Sequence, residues 1–282
     1  MTEAMEPVVY RKLVQRALKE DLGTGDITSE AVVETTSWAK GCILSRSTCI
    51  VAGLEVVTEV FRQVDSRIKL ACQRSDGDSC VAGEVVANLS GAARSILAGE
   101  RTALNFLQRL SGIATLTRAF VDASAGVLTV LDTRKTTPML RRLEKYAVRV
   151  GGGSNHRFAL DDGVLIKDNH IVLAGGVAVA LDLVRGAKLD KSIEVEVDSV
   201  EEADDALDAG ADRLLVDNMT DADVREVVRR SLGRAKIEIS GGVTLKRMPG
   251  LVATGADYVS VGALTHSAPS VDFSLDLERS DH

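Results

Sequence analysis

Apolar residues recur at helical spacing from Leu13 to Leu22 and stop at Gly23, where Thr24-Gly25-Asp26 marks a turn. From Ala39 to about Leu89 the pattern becomes short β-rich runs: Gly41-Cys42-Ile43-Leu44, Thr48-Cys49-Ile50-Val51-Ala52 and Val81-Ala82-Gly83-Glu84-Val85-Val86. Turn residues such as Ser75-Asp76-Gly77-Asp78 separate them, and Val56 to Val64 predicts another helix. A small α+β domain with an antiparallel sheet follows. Glu100 to about Ser124, with Leu104, Leu107, Leu110 and Leu116 on related faces, predicts a long helix leading into a second domain.

The pattern then becomes repetitive. Apolar runs at Val127–Leu131, Ala147–Val150, Val164–Ile166, Ile193–Val197, Leu214–Val216, Ile237–Ile239 and Tyr258–Val261 predict strands, with helical segments between the later ones. Ser199-Val200-Glu201-Glu202 has the form of a capping box, and its helix closes at Gly210. Thr220 and Thr244 are placed to open the next two helices. Ala209-Gly210-Ala211-Asp212 and Thr254-Gly255-Ala256-Asp257 echo each other, each just before a strand. A spacing of roughly 20 to 25 residues per strand–helix unit favours a β/α barrel, with a doubly wound open sheet as the alternative.

Composition narrows the class. The chain has 282 residues, long enough for one large domain or two ordinary ones. A formal net charge of −7 argues against non-specific nucleic-acid binding. No apolar run is long enough to cross a bilayer, and Met-Thr-Glu-Ala-Met-Glu-Pro is not a secretory leader, so a cytoplasmic protein with no membrane partner is expected. Cys42, Cys49, Cys72 and Cys80 fit no common zinc spacing and are expected to be reduced thiols.

Against that acidic background, Arg134, Lys135, Arg141, Arg142, Lys145, Arg149 and Arg157 face a single acid, Glu144. Such a cluster, beside Gly151-Gly152-Gly153 and His156, suits a small, multiply anionic ligand. In a barrel the strand C-termini share one mouth. Arg134 and Lys135, Lys167 and Asp168, Glu196 and Asp198, Asp217 and Asn218, Ser240-Gly241-Gly242 and Gly262 all fall there. The late glycines suit a phosphate, although two ordinary left-handed turns would look the same. Glu196 and Asp217, with Asp168 nearby, could hold Mg²⁺ through substrate and water, or could equally pair a neighbouring cation. Lys135 or Lys167 could also serve as a Schiff-base lysine, but so many cations favour anion binding. Glu20 to Thr28 is expected to be structural: a helix end with a glycine cap, and an Asp or Thr bonding the backbone.

These residues, in this order, closely resemble the quinolinate phosphoribosyltransferase family nearly end to end. The resemblance is carried by Glu20–Thr28, Glu100-Arg101-Thr102-Ala103-Leu104-Asn105, Asp132–Thr137, Gly151–Arg157, Leu165–His170, Glu194–Asp198, Val216-Asp217-Asn218, Ser240-Gly241-Gly242 and Val261–His266. It implies an N-terminal α/β sandwich domain (1–114, with a tail at 270–282 packing back on it). A seven-stranded open α/β barrel carrying the active site would occupy 115–269. It also implies a homodimer, or a larger assembly of dimers, with Arg101 reaching across the interface. Arg101, Arg134, Lys135, His156, Arg157 and Lys167 would surround quinolinate and pyrophosphate. Glu196 and Asp217 would hold the ribose hydroxyls and Mg²⁺, and Ser240, Gly241, Gly242 and Gly262 the 5′-phosphate of phosphoribosyl pyrophosphate. Lys135, Lys167, Glu196 and Asp217 would be the catalytic groups. The implied reaction is decarboxylating phosphoribosyl transfer in NAD synthesis. The alternatives are a related phosphoribosyltransferase acting on another nitrogen heterocycle, a barrel aldolase, and a non-catalytic phosphosugar-binding protein.

Overall fold

The computed structural model describes residues 5–280. Residues at the extreme N-terminus and the last two of the tail lie outside the described residues. The chain divides into two compact units, 1–118 with 137–152 and 267–282, and 119–136 with 153–266.

In the first unit, α1 (Arg11–Leu22) buries Val14 and Leu18 and ends at Gly23, whose φ is 52°. Asp26 then caps α2 (Ile27–Val32): its Oδ1 accepts from Ser29 N at 3.0 Å and its Oδ2 from Ser29 Oγ at 2.5 Å. The Glu20–Thr28 motif thus folds as helix end, glycine cap and new N-cap. The strands are β1 (Trp38–Ser45), β2 (Cys49–Ile50), β3 (Lys69–Cys72), β4 (Ser79–Cys80) and β5 (Val85–Ala92). A four-stranded antiparallel sheet has the order β12-β1-β5-β3, with β12 (Phe273–Ser280) returning from the end of the chain. Helix α3 (Leu54–Val64) buries Val56, Val57, Val60 and Phe61, the i, i+3, i+4 pattern of a core-facing helix. Asp76 orders its start, accepting from Gly53 N, Leu54 N and the Tyr146 hydroxyl at 2.8, 3.1 and 2.7 Å.

The long helix α4 spans Ala93–Ala123. Residues 147–150, expected as a strand, belong instead to helix α5 (Arg141–Val150). Leu143, Tyr146, Ala147 and Val150 are all buried, and their i, i+3, i+4, i+7 spacing is decisive once the window is longer than four residues. The glycines that follow permit close packing: a Cβ on Gly151 would lie 2.5 Å from the Ala114 carbonyl oxygen of α4. Arg141, Arg142, Lys145 and Arg149 therefore lie in this unit, apart from Arg134, Lys135 and Arg157. Glu144 is fully buried, ion-paired with Arg109 at 2.8 Å and accepting from Thr137 N at 3.0 Å. The basic stretch is thus divided between the two units.

The second unit contains the parallel sheet β6 (Thr129–Leu131), β7 (Val164–Ile166), β8 (Ile193–Val197), β9 (Arg213–Asp217), β10 (Lys236–Ser240) and β11 (Tyr258–Ser260). Its strand order is β6-β11-β10-β9-β8-β7. Six strands pair, where seven were expected. The seventh is reduced to one bridge, Leu131 to Ser154, because α5 takes the residues before it. The two edge strands are consecutive in sequence, as an open barrel requires. Between strands lie α6 (Asp168–Ala174), α7 (Val177–Gly186), α8 (Val200–Asp208), α9 (Asp221–Ser231), α10 (Met248–Val252) and α11 (Ala263–His266). Ser199 caps α8 through Glu202 N at 3.3 Å, while the Glu202 carboxylate accepts from Asp198 N, one residue off a closed capping box. Thr220 caps α9 through Asp223 N at 3.2 Å. Thr244 opens only a 3₁₀ turn and makes no side-chain cap; Pro249 sits in the first turn of α10. No single described helix is long and apolar enough to cross a membrane.

Alternation sorts the strands into two faces. Ile166, Val195, Val197, Leu214, Val216, Ile237, Ile239 and Val259 form one buried apolar face. The other carries Glu194 and Glu196, Arg213 and Asp217, Glu238 and Ser240, and Tyr258. Core burial comes from the first face. Chemistry sits on the second.

Candidate active site

The polar face has two levels. At the deeper level, Arg213 Nη1 donates to Glu238 Oε2 at 3.1 Å, and its Nε lies 3.9 Å from Glu194 Oε1. Its guanidinium stacks on Tyr258, 4.2 Å from the ring centroid. His156 reaches this group from the chain beyond β6, with Nε2 2.9 Å from Glu194 Oε2 and 3.6 Å from Glu238 Oε1. That one side chain meets both β8 and β10 shows how far the sheet is curled.

The loop carrying His156 is held by Asp132, buried at the end of β6. Its oxygens accept from Asn155 Nδ2 at 2.5 Å and His156 N at 2.9 Å. Arg157 N donates to His156 Nδ1 at 2.8 Å, which puts the ring proton on Nε2, facing Glu194. Burial opposes a charge on this ring. The hydrogen bond to Glu194 and the charges of Glu238 and Glu194 outweigh it and make the imidazole more basic than usual. The bond from Arg157 N nonetheless describes the neutral ring, and protonating Nδ1 would break it. Burial and the Glu194 charge push the Glu238 carboxyl up to about 7, against the opposing pull of His156 and Arg213.

Arg157 is half-buried and anchored by Nη1 to the Gly163 carbonyl at 3.0 Å. Burial and the neighbouring Arg134 charge lower its pKa, partly offset by Glu194. A half-buried guanidinium that feels a second cation is stabilised by an anion placed beside it.

At the upper level, nearer the strand C-termini, Lys167 forms an ion pair with Glu196 across the ends of β7 and β8. That environment suits a charge-neutralising cation better than a nucleophilic amine. Asp217 accepts from Asn218 Nδ2 at 2.7 Å, and Asn218 holds a left-handed φ of 57°. After β10, Gly241 and Gly242 have φ of 83° and 55°, and a Cβ on Gly241 would collide with the Asn218 side chain. Arg247 pins this turn, donating to the Gly241 and Gly242 carbonyls at 3.3 and 3.4 Å and to Asp221 at 2.9 Å. Lys135 is exposed, its carbonyl held by Thr265 Oγ1 at 2.8 Å, and a Cβ on Gly262 would lie 3.2 Å from its Cδ. Strand-end cations, acids and a glycine turn thus line one mouth.

Arg101 is exposed on α4 in the other unit. Asp168 is exposed on the first turn of α6 and forms no ligand cluster with Glu196 and Asp217; among the described residues the one close group of three is His156, Glu194 and Glu238. Glu194, Arg213, Glu238 and Asp132 were not predicted as site residues. Their signal was available: ionisable residues at alternate positions of otherwise apolar strands, as in Ile193-Glu194-Val195-Glu196-Val197.

The fold and this mouth define an α/β-barrel protein with cations, acids and a glycine turn gathered at the strand C-termini. Residues 26–111 match the family model "Quinolinate phosphoribosyl transferase, N-terminal domain" and residues 113–276 the corresponding C-terminal domain. A probable nicotinate-nucleotide pyrophosphorylase [carboxylating] of Bacillus subtilis is 43% identical over 279 residues, 98% of this chain and 96% of that one. The nicotinate-nucleotide pyrophosphorylase [carboxylating] of Mycobacterium leprae is 42% identical, covering 95% and 96%. The crystal structure of NadC from Streptococcus pyogenes superposes with a TM-score of 0.95 at 40% identity, covering 99% of this chain and all of that one. The chain belongs to the quinolinate phosphoribosyltransferase family.

Proposed function

We propose that this protein is a decarboxylating quinolinate phosphoribosyltransferase of NAD biosynthesis, making nicotinate mononucleotide, pyrophosphate and CO₂ from quinolinate and phosphoribosyl pyrophosphate. In a chain of this family, the observation that supports the reading is the half-buried Arg157 guanidinium, anchored to the Gly163 carbonyl and made less basic by burial and the Arg134 charge. A guanidinium so placed is a bidentate partner for a planar carboxylate.

The chemistry follows from charge. The pyridine nitrogen attacks ribose C1 as the C1–O bond to pyrophosphate breaks, so negative charge grows on the leaving oxygens and positive charge on the sugar. Lys135 and Lys167 are the cations we assign to the former. Glu196 and Asp217 are assigned to the ribose hydroxyls and the cationic sugar, and Ser240, Gly241, Gly242 and Gly262 to the 5′-phosphate. Once the ring nitrogen is quaternary it accepts the electron pair released when the 2-carboxylate leaves as CO₂, and a proton then replaces it at C2. Arg134 and Arg157, with His156 behind them, keep the 3-carboxylate and hold the ring in plane.

We assign Mg²⁺ as the metal. Glu196 and Asp217 are half-exposed carboxylates on one face of neighbouring strands, a donor set that fits an ion taking its remaining ligands from water and diphosphate. Asp168 is assigned only through water. When bound, the ion neutralises diphosphate charge. We further assign a homodimer in which Arg101 completes the partner's site. Val172, Leu173 and Leu183 stand exposed on α6 and α7, beside edge strand β7, as a surface a partner would cover. The four free cysteines are consistent with a reducing, cytoplasmic setting.

The test is direct. Purified protein with quinolinate, phosphoribosyl pyrophosphate and Mg²⁺ should release CO₂ and nicotinate mononucleotide in equal amounts. A folded protein that yields neither overturns the assignment.

A further inference from the structure

We propose that Glu194, backed by Arg213 and Glu238, is a positioning residue for acceptor binding. It fixes the His156 ring, and through that ring the Arg157 main chain, without touching substrate. The proposal rests on the reading that Arg157 holds the dicarboxylate.

The geometry is a relay of contacts. Asp132 grips the loop through His156 N and Asn155, and Arg157 N then bonds to His156 Nδ1. The ring's remaining N–H points at Glu194. Both imidazole nitrogens therefore have protein partners, which set the orientation of the ring. Glu194 is in turn fixed by its place on β8 and by the Arg213 charge, which is itself held over Tyr258 and bonded to Glu238. Two acids and one arginine at this depth form a costly arrangement, and Glu194 Oε1 and Glu238 Oε1 are buried without a hydrogen-bond partner. An apolar interior would cost less, so the network has a task beyond stability. The task its contacts define is the setting of residues 156–157. Asp217 and the glycine turn have separate supports in Asn218 and Arg247, so donor-substrate binding does not depend on this network.

Steady-state kinetics of Glu194→Ala, Glu194→Gln and Arg157→Ala separate the possibilities. Losing a hydrogen bond to a charged group should raise KM for quinolinate about 10-fold or more in Glu194→Ala, leaving KM for phosphoribosyl pyrophosphate within about 2-fold. Glu194→Gln, which can still accept from Nε2–H, should recover most of that loss. Equal changes in both KM values, or none, overturn the proposal. If Arg157→Ala raises KM for quinolinate and Glu194→Ala does not, the site reading stands and the positioning role falls. If Arg157→Ala changes nothing, the reading beneath it falls too. Should Glu194→Ala fail to fold, ¹⁵N spectra of histidine-labelled wild-type protein decide. His156, assigned by its loss in His156→Gln, should carry its proton on Nε2 with bare Nδ1, and the opposite tautomer overturns the proposal.

Discussion

Replacing Glu238 by Gln should change how stability depends on pH. The carboxyl is fully buried on β10, faced by Glu194, His156, Arg213 and Ser260, and burial with the Glu194 charge raises its pKa from 4.5 to about 7. A raised acid binds its proton more tightly in the folded chain. Its contribution is therefore fully present below pH 4.5 and is lost as the pH rises through about 7. At about 1.4 kcal/mol per pH unit the full loss is about 3 kcal/mol, most of which falls between pH 5 and pH 8.5. Glutamine keeps the shape and cannot ionise, so the variant lacks this loss. Urea unfolding at both pH values should show wild-type stability falling by about 2–3 kcal/mol more than that of Glu238→Gln. Parallel behaviour across that range would refute the idea that a proton is held on this carboxylate.

Asp132→Ala strips the acceptor from His156 N and Asn155, two donors at the base of the loop, and should cost about 2–4 kcal/mol in urea unfolding; a loss under about 1 kcal/mol would mean that another group takes over. Lys135→Ala should lower kcat/KM by about 10²-fold or more, the usual effect of removing one transition-state donor, and a near-normal rate would remove Lys135 from the chemistry. Chelation with EDTA should abolish product formation and Mg²⁺ should restore it; undiminished turnover in EDTA would exclude Mg²⁺ from the reaction.

Much of the fold was legible because its elements are locally consistent. Val164–Ile166 and Ile193–Val197 match β7 and β8 residue for residue, and Gly23, Ser199 and Thr220 mark real helix ends. Residues 147–150 misled because Ala-Val-Arg-Val alternates in a four-residue window while its partners Leu143 and Tyr146 lie outside it. The cationic stretch shows a different limit of the sequence. Charge density along a chain carries no information about which way a helix turns it, and α5 takes four of the seven cations to the other unit.

Glu194 and Glu196 show where sequence reasoning reaches its limit. They are the same residue, two apart, on the same face of one strand. Yet Glu194 is buried against His156 and Arg213, whereas Glu196 is half-exposed at the rim with Lys167. Depth along β8, about 7 Å between them, separates a group that orients the wall from one that can meet a ligand. Spacing reveals that both face inward. Only the curl that brings His156 to the interior decides which is closed off and which stays open to substrate.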